Sequence, residues 1–123
     1  MNKKWNLVLA TLAVAALAAC GKKEAAAPAA SAEAVVKIGH VAPTSGAIAH
    51  LGKDNENGAR MAIDELNAKG LTIDGKKVKF ELLAEDDAAD PKQGTAAAQK
   101  LVDSKVAGVI GHLNSGTTIP ASL

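Results

Sequence analysis

Residues 90–111, "DPKQGTAAAQKLVDSKVAGVIG", decide how the chain folds. Asp90 offers a capping carboxylate, and Pro91 stands at the first helical position, where the N–H it lacks would have no partner. Ala97, Ala98, Leu101 and Val102 share one helical face, which predicts a helix ending near Ser104 with that stripe buried. Val106–Ile110 is apolar without alternation, the pattern of a strand covered on both faces. A helix feeding such a strand is the repeating half of an α/β fold.

The same rhythm runs upstream. Residues 35–41, "VVKIGHV", predict a first strand, and "APTSG" after them is turn chemistry. Between Gly52 and Gly70, the apolar Ala59, Ala62, Ile63 and Leu66 recur at i, i+3, i+4 and i+7, and Gly70 stands where a helix stops. Residues 71–87, "LTIDGKKVKFELLAEDD", predict a hairpin turned at Asp74-Gly75 and a second strand over Val78–Ala84. In that strand Val78, Phe80, Leu82 and Ala84 alternate with Lys79, Glu81 and Leu83.

Strand, helix, strand, helix, strand predicts a doubly wound α/β fold with a parallel sheet, its crossovers right-handed. The alternating second strand suits an edge and the apolar third suits the interior, so the expected order is 2-1-3 with helices on both faces. Sheets of this kind bind ligands beyond the carboxyl ends of the strands, where the order reverses. Two loops must line that crevice: residues 42–52, "APTSGAIAHLG", and residues 111–118, "GHLNSGTT". Neither contains Lys or Arg. They offer the hydroxyls of Thr44, Ser45, Ser115, Thr117 and Thr118, while Gly46 and Gly116 let backbone amides come close. A helix opening near Thr117 would add free N–H groups, giving a neutral-donor site for a carboxylate or phosphate. The alternative is that Ser115 merely caps that helix.

Composition narrows the function. The formal net charge is +1, and −1 without Lys3 and Lys4, neither of which suits a polyanionic partner. Phe80 is the one aromatic residue after Trp5, so the stacking platforms of nucleic-acid binding are absent from the sequence. A single cysteine permits neither an internal disulfide nor a thiolate zinc site. No G-x-G-x-x-G follows the first strand, and neither Ser45 nor Ser115 sits in G-x-S-x-G. His40, His50 and His112 are too scattered to form a recognisable triad. Asp86, Asp87 and Asp90 could gather a metal; the reading preferred has Asp90 as a cap and the other two solvating a loop. The sequence therefore implies a non-catalytic protein without a cofactor.

The amino-terminal segment has a separate logic. Lys3 and Lys4 precede an uncharged apolar run, Leu7–Ala19, which is shorter than the ~20 residues a membrane-spanning helix needs. It reads as a secretory signal over residues 1–19. Residues 17–20, "LAAC", resemble the lipobox of bacterial lipoproteins, making Cys20 the acylated first residue of the mature chain; ordinary cleavage that leaves a free thiol is the alternative. Residues 20–34 are rich in alanine and poor in large apolar groups, as expected of a disordered tether.

Residues 85–102, "EDDAADPKQGTAAAQKLV", and 109–122, "VIGHLNSGTTIPAS", closely resemble the leucine/isoleucine/valine-binding proteins of bacterial ABC importers. Residues 38–46, "IGHVAPTSG", and 55–70, "NENGARMAIDELNAKG", match the opening segments of that family. The resemblance implies a periplasmic receptor whose two α/β lobes close over an amino acid, and permease subunits as partners. It makes residues 35–123 a partial first lobe and the chain an amino-terminal fragment, since family members are far longer. It makes Ser115 hold the ligand carboxylate through hydroxyl and amide and puts Leu51, in the first-strand loop, beside the ligand side chain; Gly116, Thr117 and Ser45 join them as candidate ligand residues from the loop chemistry above. Some relatives pair cysteines at the positions of Ala89 and Asn114; neither is present here.

Acylation has a direct test. Metabolic labelling with palmitate marks the wild-type protein, and Cys20→Ala abolishes the label; label persisting on the variant contradicts lipidation at Cys20.

Overall fold

Strand β1 (Ala34–Ala42) holds the centre of a sheet built over the 91 residues that the computed structural model describes, 33–123. Helix α1 (Ala49–Lys69), strands β2 (Thr72–Ile73) and β3 (Lys76–Asp86), helix α2 (Pro91–Asp103), strand β4 (Gly108–Gly111) and helix α3 (Ser115–Ala121) follow in order. The signal, Cys20 and the tether up to residue 32 lie outside the described residues.

β1 pairs in parallel with β3 on one side, Ala34 opposite Val78 through Ala42 opposite Asp86, and with β4 on the other, Ile38 opposite Gly108 through Val41 opposite Gly111. The spatial order is β2-β3-β1-β4. The three long crossover strands thus follow the expected 2-1-3, with the two-residue β2 added antiparallel to β3. Asp74 and Gly75 turn that hairpin with φ of 50° and 76°, the two positive values that a type I′ turn requires.

Alternation along the strands sends the helices to opposite faces. Ile38 and Phe80 turn toward Ala59, Ile63 and Leu66 of α1. On the other face Val41 forms a core with Ala97 and Leu101 of α2, flanked by Leu83 and Val106. Asn67 fastens α1 to β3: its amide nitrogen donates to the Phe80 carbonyl at 2.9 Å and its oxygen accepts the Phe80 N–H at 2.8 Å.

Two expectations need correction. Among the described residues the third crossover strand, β4, lies at the sheet edge and is not covered on both faces; Val109 and Ile110 are 45% and 43% exposed. The second, β3, holds the other edge along Val78–Ala84, as expected, because β2 pairs with it only at Lys76 and Lys77. All four residues of β4 are exposed, and the strand shares a recess of about 330 Å³ with α1. Val102 is also 65% exposed, because α2 buries the narrower stripe Gly94, Ala97 and Leu101.

Candidate ligand-binding site

The carboxyl ends of β1, β3 and β4 all emerge on one side of the sheet, because the strands are parallel. The loop leaving β1 carries Thr44 and Ser45, the loop leaving β3 carries Asp87 to Asp90, and the loop leaving β4 carries His112 to Asn114. Two adjacent carboxylates at the end of β3 tie these loops together.

Asp86 closes the side toward α1. Its Oδ1 accepts the N–H groups of Thr44 at 2.8 Å, Ser45 at 3.3 Å and Ala88 at 2.8 Å. Burial alone would raise its pKa, but the bonds from the Ser45 side chain and from the Ala88, Thr44 and Ser45 amides outweigh it and hold the carboxyl below the usual aspartate range. Asp87 points the other way, as the next residue along an extended chain should. It is fully buried; its Oδ1 accepts the Ala89 N–H at 2.9 Å and its Oδ2 lies 2.8 Å from His112 Nδ1. Asp90, as expected, caps α2 by accepting the Gln93 N–H at 2.9 Å. The three aspartates thus have three separate tasks, and the expectation that Asp86 and Asp87 solvate a loop is overturned. Between them Ala88 and Ala89 adopt φ of 47° and 57°, a left-handed conformation costing about 1–2 kcal/mol for each residue with a Cβ. The bonds from Asp86 and Asp87 to these two amides offset that strain.

The loop after β4 starts with a close approach. Gly111 has φ of 127°, and a Cβ there would come within 2.2 Å of the Val41 carbonyl oxygen, so only glycine lets β4 end against β1. Helix α3 then opens at Ser115, just before Thr117, with Asn114 in the capping position and its side chain making no capping bond. Ser115 is consequently the first helical residue and not the cap. Ser115 and Gly116 are exposed. Their amides fall in the first turn, where the helix supplies no acceptor.

The remaining candidates separate. Thr117 is fully buried against α2, where a Cβ on Gly94 would lie 3.0 Å from its own Cβ. Its hydroxyl donates to the Asn114 carbonyl at 2.9 Å, so Thr117 is a packing residue in this structure. Thr118 donates to the same carbonyl at 2.8 Å. Ser45 is exposed but its amide serves Asp86. Leu51 lies inside α1 and not in the loop, because that helix begins at Ala49; its side chain is 44% exposed. His40, at the end of β1, is buried with Nδ1 unpartnered. Burial, opposed by Glu56 and Asp87 and reinforced by Arg60, lowers its pKa and keeps the imidazole neutral.

Sequence reasoning named Ser115 and Gly116 as candidates and missed the Asp87–His112 pair. The two residues are 25 positions apart, and no local pattern joins them. An "EDD" run at a strand end was the available signal, since strand alternation must send one of two consecutive acids inward.

Comparisons with known proteins bear on the family and the fold. Residues 35–122 match the periplasmic binding protein family. The chain is 45% identical over 91 residues to the Leu/Ile/Val-binding protein BraC3 of Rhizobium johnstonii, an alignment covering 74% of this chain and 24% of that protein. In structure it is similar to LivJ, the branched-chain amino acid transporter substrate binding protein of Streptococcus pneumoniae, solved in complex with isoleucine. There the TM-score is 0.63 at 36% identity, covering 71% of this chain and 24% of that one. A solute binding protein of an ABC transporter from Rhodopseudomonas palustris, in complex with 3,4-dihydroxybenzoic acid, gives a TM-score of 0.58 at 32% identity, with 71% and 23% covered. The chain thus spans about a quarter of the length of the relatives it matches.

The lowered pKa values set the acid response. His40 contributes fully above the ordinary imidazole range and loses that contribution as pH falls through its lowered value; Asp86 contributes fully above the ordinary carboxylate range and loses its contribution as pH falls through its own lowered value. Denaturant titrations at stepped pH should show stability falling in both windows. Asp86→Asn should shrink the lower one alone, and an undiminished lower window contradicts the role given to Asp86.

Proposed function

Because the chain belongs to the periplasmic binding protein family, we propose that the protein containing it captures branched-chain amino acids for an ABC importer. The observation that carries this reading is the position of Ser115: exposed, at the first turn of α3, after the carboxyl end of β4, in a segment similar to leucine/isoleucine/valine-binding proteins. The Ser115 hydroxyl and the Ser115 and Gly116 amides hold the ligand carboxylate. Exposed Leu51 flanks the ligand's aliphatic side chain, and Ser45 lies on the opposite lip. Thr117 contributes by holding α3 against α2.

An α-amino acid needs donors for its carboxylate, an acceptor for its ammonium and an apolar recess for its side chain. Residues beyond this segment supply the ammonium partner, since an unpaired buried charge costs several kcal/mol. Leu, Ile and Val differ by methylene-sized changes worth about 1–3 kcal/mol in an apolar recess, so discrimination among them is weak. The protein binds and releases its cargo unchanged, with permease subunits as partners. It works in the periplasm, held to a membrane through the lipid on Cys20.

A second reading shares the same donors. Isoleucine and 3,4-dihydroxybenzoic acid, bound by two similar proteins, each carry a carboxylate, so an aromatic acid would engage Ser115 and Gly116 equally well. Leu51, aliphatic and not aromatic, favours the branched-chain ligand.

Calorimetry on the full receptor distinguishes the two. Leucine, isoleucine and valine should bind and 4-hydroxybenzoate should not, and Ser115→Ala should weaken leucine binding about tenfold or more, the value of a hydrogen bond to a charged group. Leucine affinity unchanged in the variant contradicts the assignment. Hydroxybenzoate binding without leucine binding selects the second reading.

A further inference from the structure

We propose that Asp87 and His112 are a positioning pair that sets where Ser115 and Gly116 stand, so that affinity for the ligand carboxylate depends on two side chains that never touch it. The proposal rests on the ligand role of Ser115 given above.

The side chains of His112 and Asp87 are 5% and 0% exposed, and their contact joins the loop after β4 to the loop after β3. Asp87 cannot shift freely: its other oxygen holds the Ala89 N–H, its own N–H reaches the Ala42 carbonyl at 3.3 Å, and its carbonyl accepts the Asp90 N–H at 2.8 Å. It is thereby tied to the end of β1 and to the cap of α2 together. His112 is three residues before Ser115 and is wedged beside α2, its Cε1 lying 3.4 Å from where a Cβ on Gly94 would be. The His112 carbonyl is also reached by the Thr118 hydroxyl at 3.4 Å. The pair therefore links a rigid reference, the ends of β1 and β3, to the short segment that presents the donors.

A contact that only stabilised the fold would, when removed, weaken every ligand alike. A positioning contact acts on the group it aims, here the donors for the carboxylate. Leucine and leucinamide separate the two, since the amide keeps the ammonium and side chain but presents no negative charge to Ser115 and Gly116. A charge-assisted bond lost through misalignment is worth roughly tenfold or more in affinity.

The test measures both ligands by calorimetry on the full receptor encoded by the reading frame that carries these residues. His112→Leu should lower leucine affinity about tenfold or more while leaving leucinamide within about threefold, collapsing the preference. His112→Asn, whose side-chain nitrogen can stand where Nδ1 stood, should restore most of it. Leu101→Ala, which damages the core beneath the same helix, should lower the melting temperature and keep the preference. If His112→Leu does not fold, His112→Gln reads the same loss, because its amide lies where Nε2 was and leaves Asp87 unmet. A leucine preference unchanged in the folded position-112 variants, with Ser115→Ala still reducing it, overturns the positioning role alone. A preference unchanged in Ser115→Ala as well overturns the ligand role of Ser115 and this proposal with it.

Discussion

Parallel pairing of β1 with a neighbour on each side is the constraint from which the rest follows. Three parallel strands must discharge their loops at one end, and two crossover helices must then cover opposite faces. Because β3 and β4 flank β1, the loops after β1 and β4 run to different helices, α1 and α3, and sheets of this kind bind ligands between such loops. The chain places no positive charge there; hydroxyls and backbone amides surround it instead. An anion bound between such loops would be held by directed hydrogen bonds.

Neutral donors work only if they are held in place, and the end of β3 does the holding. Strand alternation turns Asp86 to one side and Asp87 to the other, so consecutive residues fasten the loop that enters α1 and the loop that enters α3. Two left-handed alanines accompany this arrangement, their amides taken up by the same two carboxylates. The local strain and the tertiary bonds are thus one feature: the turn is tolerated because it brings the acids to the loops.

Much of the fold was legible because its signals are local. Asp90-Pro91 opened α2, Asp74-Gly75 turned the hairpin, and the spacing of Ala59, Ile63 and Leu66 oriented α1. What failed was whatever depends on a distant partner. The apolar run of β4 could not say whether one face or two would be covered, and Leu51 could not reveal that α1 starts early enough to include it. Thr117 resembled a ligand group until Gly94 and the Asn114 carbonyl were seen to claim it. Ser115 and Gly116 stood out through residue type and place after the third crossover strand, but the pair behind them was set by a contact across 25 residues.

The most direct measurement is a crystal structure of the full receptor with leucine bound. The account predicts a carboxylate oxygen within about 3 Å of the Ser115 hydroxyl or amide and of the Gly116 amide, with the aliphatic chain toward Leu51. A leucine carboxylate seated elsewhere, with Ser115 and Gly116 facing only solvent, would contradict it.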